Sequence, residues 1–184
     1  MITRVALAVG VSVLLTACGE TAPAPTQGPT TVGLQPKGDT STGIGVVRVV
    51  DGDTIHVNVD GQDVTVRMVG INTPETAKPD SPIECFGPEA SAFARQSLTG
   101  RTITLEYDAS QGLTDRYGRT LAYVWVEQPG GGLRMFNLDA VAGGYAEERQ
   151  YGGTPFAWKD EFRVAEDGAR AASAGMWGAC DTGS

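Results

Sequence analysis

Apolar and polar residues alternate with a period of two at Ile55, Val57 and Val59, set between Thr54, His56 and Asn58, which predicts a strand with one buried face. Ahead of it, Gly43 to Val50 is rich in β-branched residues and reads as a strand too. Asp60-Gly61 is a hairpin turn, after which Val64, Val66 and Met68 share one face. Thr65 and Arg67 then project from the other, where a guanidinium can face a site rather than the core.

Beyond a Pro-rich loop, Gly87-Pro88-Glu89 starts a helix with apolar positions at Ala90, Phe93, Ala94 and Leu98 and a stop at Gly100. Arg101 to Tyr107 and Leu121 to Val126 read as strands flanking a polar loop, Asp108 to Thr120. A short helix is expected from Asn137 to Ala142. A longer one is expected from Pro155 behind a Thr154 cap, with Trp158, Phe162, Ala165, Ala169 and Ala172 along one core-facing stripe. Five short strands closing on about three helices predict an α+β fold, a Greek-key barrel of the OB type, which suits binding extended polymers across one face.

The N-terminus breaks this pattern. Met1 to Leu15 carries one charge, Arg4, before an apolar run too short to span a bilayer and shaped like an export signal. Leu15-Thr16-Ala17-Cys18 resembles a bacterial lipobox, so residues 1–17 are expected to be removed and Cys18 lipidated. Gly19 to Thr42, rich in Pro, Thr, Gly and Ser, cannot bury enough apolar surface to fold and reads as a tether. The expected product is an exported monomer, lipid-anchored to the outer face of a bacterial membrane, with residues 43–184 as its folded domain.

Assigning Cys18 to lipid leaves Cys85 and Cys180 as an expected disulfide, the alternative being two free thiols. Closing a loop of about 95 residues is worth on the order of 4 kcal/mol by chain entropy. The formal charge of −8, from 22 acids and 14 bases, argues against a broad basic surface, so a polyanion must be held locally. The acids gather late, in Glu147-Glu148, Asp160-Glu161 and Glu166-Asp167.

His56 is the only histidine, which excludes zinc proteases of the two-histidine type and two-histidine phosphodiesterases. Its own position reads as a solvent-facing strand site. Arg67 and Arg119 suit phosphate, since a planar guanidinium binds two oxygens at once and keeps its charge. Glu75, just past Pro74, suits the activation of water. Oxygen donors at Asp53, Asn72 and the loop carbonyls match a hard cation such as Ca2+, held weakly at about 10−4–10−3 M.

The segment Arg67-Met68-Val69-Gly70-Ile71-Asn72-Thr73-Pro74-Glu75-Thr76, after Asp51-Gly52-Asp53-Thr54 and before Asp115-Arg116-Tyr117-Gly118-Arg119, closely resembles the staphylococcal nuclease (thermonuclease) family. The resemblance runs from about Gly43 to Trp177 and includes Gly87-Pro88-Glu89-Ala90-Ser91-Ala92-Phe93 and Gly118-Arg119-Thr120-Leu121-Ala122-Tyr123. It implies a calcium-dependent endonuclease acting on DNA and RNA and leaving 3′-phosphate and 5′-hydroxyl ends. Arg67, Glu75 and Arg119 would be catalytic, and Asp53, Asn72 and the Thr73 carbonyl would hold calcium. Asp115, Arg116 and Tyr117 would meet the substrate. An ungapped match puts Gln150 where a nucleotide-stacking tyrosine is expected, leaving Gln150 and Tyr151 as alternatives. Asn72 replaces a second metal-binding aspartate, which weakens cation binding or shifts metal preference. Together with the acidic balance it fits the alternative of a noncatalytic binding module, whereas the intact Arg67, Glu75 and Arg119 fit an enzyme.

Overall fold

Five strands close into a barrel: β1 (Asp39–Val49), β2 (Thr54–Val59), β3 (Gln62–Met68), β5 (Thr102–Tyr107) and β6 (Thr120–Glu127). The computed structural model describes residues 33–76 and 82–180, so Cys18 and most of the expected tether lie outside the described residues. Strand β1 pairs antiparallel with both β2 and β5, β5 pairs antiparallel with β6, and β6 closes the ring on β3 in parallel register, Arg67 opposite Leu121. Two register shifts in β1 let one long strand bend between two partners. β7 (Leu133–Met135) extends β6, and a two-residue pair, β4 (Ile71–Asn72) with β8 (Glu147–Glu148), lies outside the ring. Among the described residues the result is an α+β five-stranded mixed barrel with three helices longer than one turn, the OB-type architecture expected.

The alternating positions fill the barrel. Ile55, Val57, Val66, Ile103 and Leu105 are all buried, and the β2–β3 hairpin turns through Asp60 and Gly61, both at positive φ as a two-residue turn of this hand requires. Helices α1 (Gly87–Leu98) and α2 (Phe136–Ala142) meet through Phe93 and Phe136, while α3 (Lys159–Ala171) covers β6. Tyr123 packs edge-on against Phe162, and Trp125 against Trp158, which explains why Ala122 to Trp125 are buried without alternation. Burying each of these aromatics is worth about 2–3 kcal/mol.

Helix α3 begins at Lys159 rather than Pro155, and Thr154 does not cap it. The Thr154 and Pro155 carbonyls instead accept from Gln111 Nε2 (3.1 Å) and Ser110 Oγ (3.2 Å), which ties them to the loop after β5. The stripe from Trp158 to Ala169 is buried as expected, but Ala172 is exposed, since the helix ends at Ala171. α4 (Met176–Ala179) is a single turn that brings Cys180 to Cys85; the two form the expected disulfide, with Cα atoms 5.9 Å apart.

Composition places the end of the tether at Thr42, yet β1 starts at Asp39, and the backbone amides of Lys37 and Gly38 donate to Glu106 Oε1 at 2.7 and 3.0 Å. Glu106 is 1% exposed and also accepts the indole N–H of Trp125 (2.7 Å) and of Trp158 (3.2 Å). A buried carboxylate needs this many donors. The polar N-terminal segment is ordered because it supplies two of them. His56 is likewise more than a solvent-facing position: its Nδ1 lies 2.6 Å from Asp63 and its Nε2 2.8 Å from Arg48 Nη2, in a polar cluster on the outer face of the hairpin.

Candidate active site

A cleft of about 750 Å3 opens on the face where β3, the β1–β2 turn and the loop before β6 meet. Its floor is the Asp51-Gly52-Asp53 turn. A Cβ on Gly52 would lie 2.6 Å from the Thr73 side chain, so only glycine lets the turn approach Thr73 this closely. The buried Asp53 carboxylate accepts from Thr54 Oγ1 (2.9 Å) and from the Thr73 amide (3.1 Å), and Arg67 Nη1 lies 2.7 Å from its Oδ2. Arg67 is buried as well, on the face opposite Val66 and Met68 as the alternation predicts. Its Nη2 donates to the Tyr151 hydroxyl at 3.0 Å, and that hydroxyl donates to Asn72 Oδ1 at 2.9 Å.

Arg119 lines the same cleft from the loop before β6. Its Nε and Nη2 both lie 2.7 Å from Asp115 Oδ2, while Asp115 Oδ1 accepts the amides of Tyr117 (2.9 Å) and Arg119 (3.0 Å). Partial burial opposes ionisation of Asp115, but these bonds and the Arg119 charge outweigh it and hold its carboxyl below the usual range. The expected substrate contact Asp115 is therefore also the group that orients Arg119. Arg116 and Arg119 lie over the exposed Tyr117 ring, their guanidinium carbons 4.7 and 5.5 Å from its centroid.

Glu75 lines the same cleft from the loop after β4. That loop is clasped at its base: the Glu84 amide donates to the Glu75 carbonyl (3.0 Å) and the Glu75 amide to Glu84 Oε2 (2.9 Å), next to the bridged Cys85. Arg67, Glu75, Arg119, Asp53, Asn72, Thr73, Asp115, Arg116, Tyr117 and Tyr151 all line one cleft. Gln150 does not; its amide is engaged by Lys159 Nζ and the Gly152 carbonyl, so Tyr151 is the residue that faces inward.

Sequence reasoning missed two charged lining residues, Asp51 and Arg149. Asp51 was legible as the first carboxylate of the Asp-Gly-Asp turn; burial, then the Asp53 charge, push its carboxyl up to about 6. Arg149 had no local signal, because it is brought in by the β4–β8 pair, its amide donating to the Gly70 carbonyl at 2.9 Å. With Arg67, Arg116 and Arg119 it puts four arginines around the cleft of a chain whose formal charge is −8.

Among the described residues no group of three or more His, Cys, Asp or Glu side chains is placed to hold a metal. The donors that are present, the Asp51 and Asp53 carboxylates, the Asn72 amide oxygen and the Thr73 carbonyl, are all oxygen. They fit a hard cation such as calcium and not zinc.

An OB-type barrel whose cleft gathers guanidinium groups beside acidic oxygens defines a class of proteins equipped to hold a phosphodiester. Comparison with known proteins gives the same class. The family model described as "Staphylococcal nuclease homologue" matches residues 65–179. The thermonuclease of Staphylococcus hyicus is 40% identical over 132 residues, covering 72% of this chain and 73% of that protein. The thermonuclease of Staphylococcus intermedius is 46% identical over 106 residues, 58% of this chain and 59% of that protein. Endonuclease YncB of Bacillus subtilis is 34% identical over 132 residues, 71% of this chain and 59% of that protein. The chain belongs to the staphylococcal nuclease family.

Proposed function

We propose that this protein is a calcium-dependent endonuclease that hydrolyses DNA and RNA, leaving 3′-phosphate and 5′-hydroxyl ends. The observation that carries the reading is the convergence of Arg67, Glu75 and Arg119 on one cleft. A phosphodiester repels nucleophiles by its charge, and the two arginines answer this by gripping its oxygens, each guanidinium through two N–H donors. Glu75 orients a water and takes its proton as the water oxygen bonds to phosphorus and the bond to the 5′ oxygen breaks. The 5′ oxygen takes up a proton in turn, and Glu75 returns its own to solvent. A bound calcium ion would supply positive charge beside the phosphate, with Asp51, Asp53, Asn72 and Thr73 as its holders.

Tyr117 and Tyr151 offer exposed rings beside the arginines, suited to stacking on bases without reading sequence. Four local arginines in an acidic chain favour modest, strongly salt-dependent affinity. The N-terminal pattern and the disulfide support an exported protein, anchored to a membrane through Cys18. The test is to incubate the protein with DNA and with RNA, in calcium or in chelator, and to label the product ends. Calcium-dependent cleavage with 3′-phosphate ends is expected; cleavage unaffected by chelator, or none in calcium, contradicts the reading.

A further inference from the structure

Asn72 on β4 and Glu147 on β8 are direct partners across their strand pair, and Asn72 Nδ2 donates to Glu147 Oε1 at 3.2 Å. The other end of the amide, Oδ1, accepts from the Tyr151 hydroxyl at 2.9 Å. A carboxylate can only accept, so Glu147 decides which end of the amide faces it. The NH2 group is held outward and the oxygen is turned to the cleft. Tyr151 continues the chain to Arg67 (3.0 Å), and Arg67 to Asp53 (2.7 Å). A continuous run of polar contacts thus crosses from Glu147, which does not line the cleft, to the carboxylate on its floor.

We propose that Glu147 is a positioning residue for the cation site, pinning the Asn72 amide so that its oxygen, and not its NH2, is presented to the ion. The proposal rests on the calcium reading above. An unpinned amide can rotate about its last bond and direct two N–H dipoles at a cation, which repels it. Asn72 carries no charge to prevent this, so its usefulness as a ligand depends on the group behind it. Glu147 also keeps a negative charge one hydrogen bond away from the site. Arg149 Nη1 lies 3.7 Å from the same Glu147 oxygen, on a side chain 58% exposed, so that contact is the looser of the two.

The test is calcium titration calorimetry on the metal-free protein without nucleic acid, which keeps any contact between Arg149 and substrate out of the readout. Melting temperatures in chelator check that each variant is folded. Glu147→Ala is expected to weaken calcium binding about tenfold or more, in line with other groups that orient ligands from behind. Glu147→Gln, whose amide oxygen can still accept from Asn72, is expected to stay within about threefold of wild type. Asn72→Asp sets a carboxylate against Glu147 and is expected to gain affinity only when combined with Glu147→Gln. Unchanged calcium affinity in Glu147→Ala, or a gain from Asn72→Asp as large with Glu147 present as without it, overturns the proposal while leaving the calcium reading intact. Absence of calcium binding by the wild-type protein overturns both.

Discussion

Arg67 and Asp53 form an ion pair of 2.7 Å in which the two side chains are only 9% and 8% exposed. One is the residue proposed for the phosphate, the other for the cation, and each offsets the other's charge. The pair is a store of charge that ligands must reorganise.

Removing one member leaves a buried charge without its partner. Asp53→Ala is expected to lower unfolding free energy by about 3–5 kcal/mol, measured by urea titration in chelator. The double replacement Asp53→Leu with Arg67→Met is expected to be more stable than either single change, although inactive. A double variant less stable than both singles would show that the pair itself stabilises the fold.

The two contacts of Asp115 with Arg119 and its two with backbone amides predict a kinetic effect without loss of fold. Asp115→Ala is expected to lower kcat about a hundredfold through misplacement of Arg119. Asp115→Asn, whose oxygen can still accept the amides, should lose about tenfold. Equal kcat values in the two variants and wild type would show that Arg119 needs no such support.

Asp108 is buried, which by itself raises a carboxyl pKa, but the amides of Ala157 and Ser110, the Ser110 hydroxyl and the Tyr123 hydroxyl donate to it and hold it below the ordinary 3.8. Its contribution to stability is therefore present above pH 3.8 and is lost as pH falls through the lower folded value. Asp108→Asn should cost about 2 kcal/mol at pH 7, with the gap to wild type closing below about pH 4. Urea titrations at both pH values check it; a gap that widens in acid contradicts the assignment.

The strand faces and the arginines on them were legible in the sequence because a period of two puts Arg67 opposite Val66 and Met68 whatever the rest of the chain does. That Glu75 and Arg119 would share a cleft with Arg67 was legible from residue type and order. What was not legible came from long-range pairing. Asp39 to Thr42 show no alternation, being largely exposed, and are ordered by β5 and Glu106. Arg149 and Glu147 reach the site only through a two-residue strand pair with no pattern of its own. Thr154 has the chemistry of a helix cap, yet its carbonyl is taken by Gln111 and the helix starts five residues later.

The Cys85–Cys180 bridge spans a sequence separation of 95 residues and fixes the segment next to Glu84, which clasps Glu75. Cys85→Ser with Cys180→Ser is expected to lose on the order of 4 kcal/mol of stability, read as a lower urea midpoint matching that of reduced wild type. An unchanged midpoint would show that the bridge does not constrain the unfolded chain.

The central claim is that Glu75 serves the water while the two arginines hold the phosphate, and the rate of phosphodiester cleavage by Glu75→Gln in saturating calcium tests it most directly. A fall of about 10²–10⁴-fold in kcat, with DNA affinity unchanged, is the predicted result. Cleavage at the wild-type rate would contradict it.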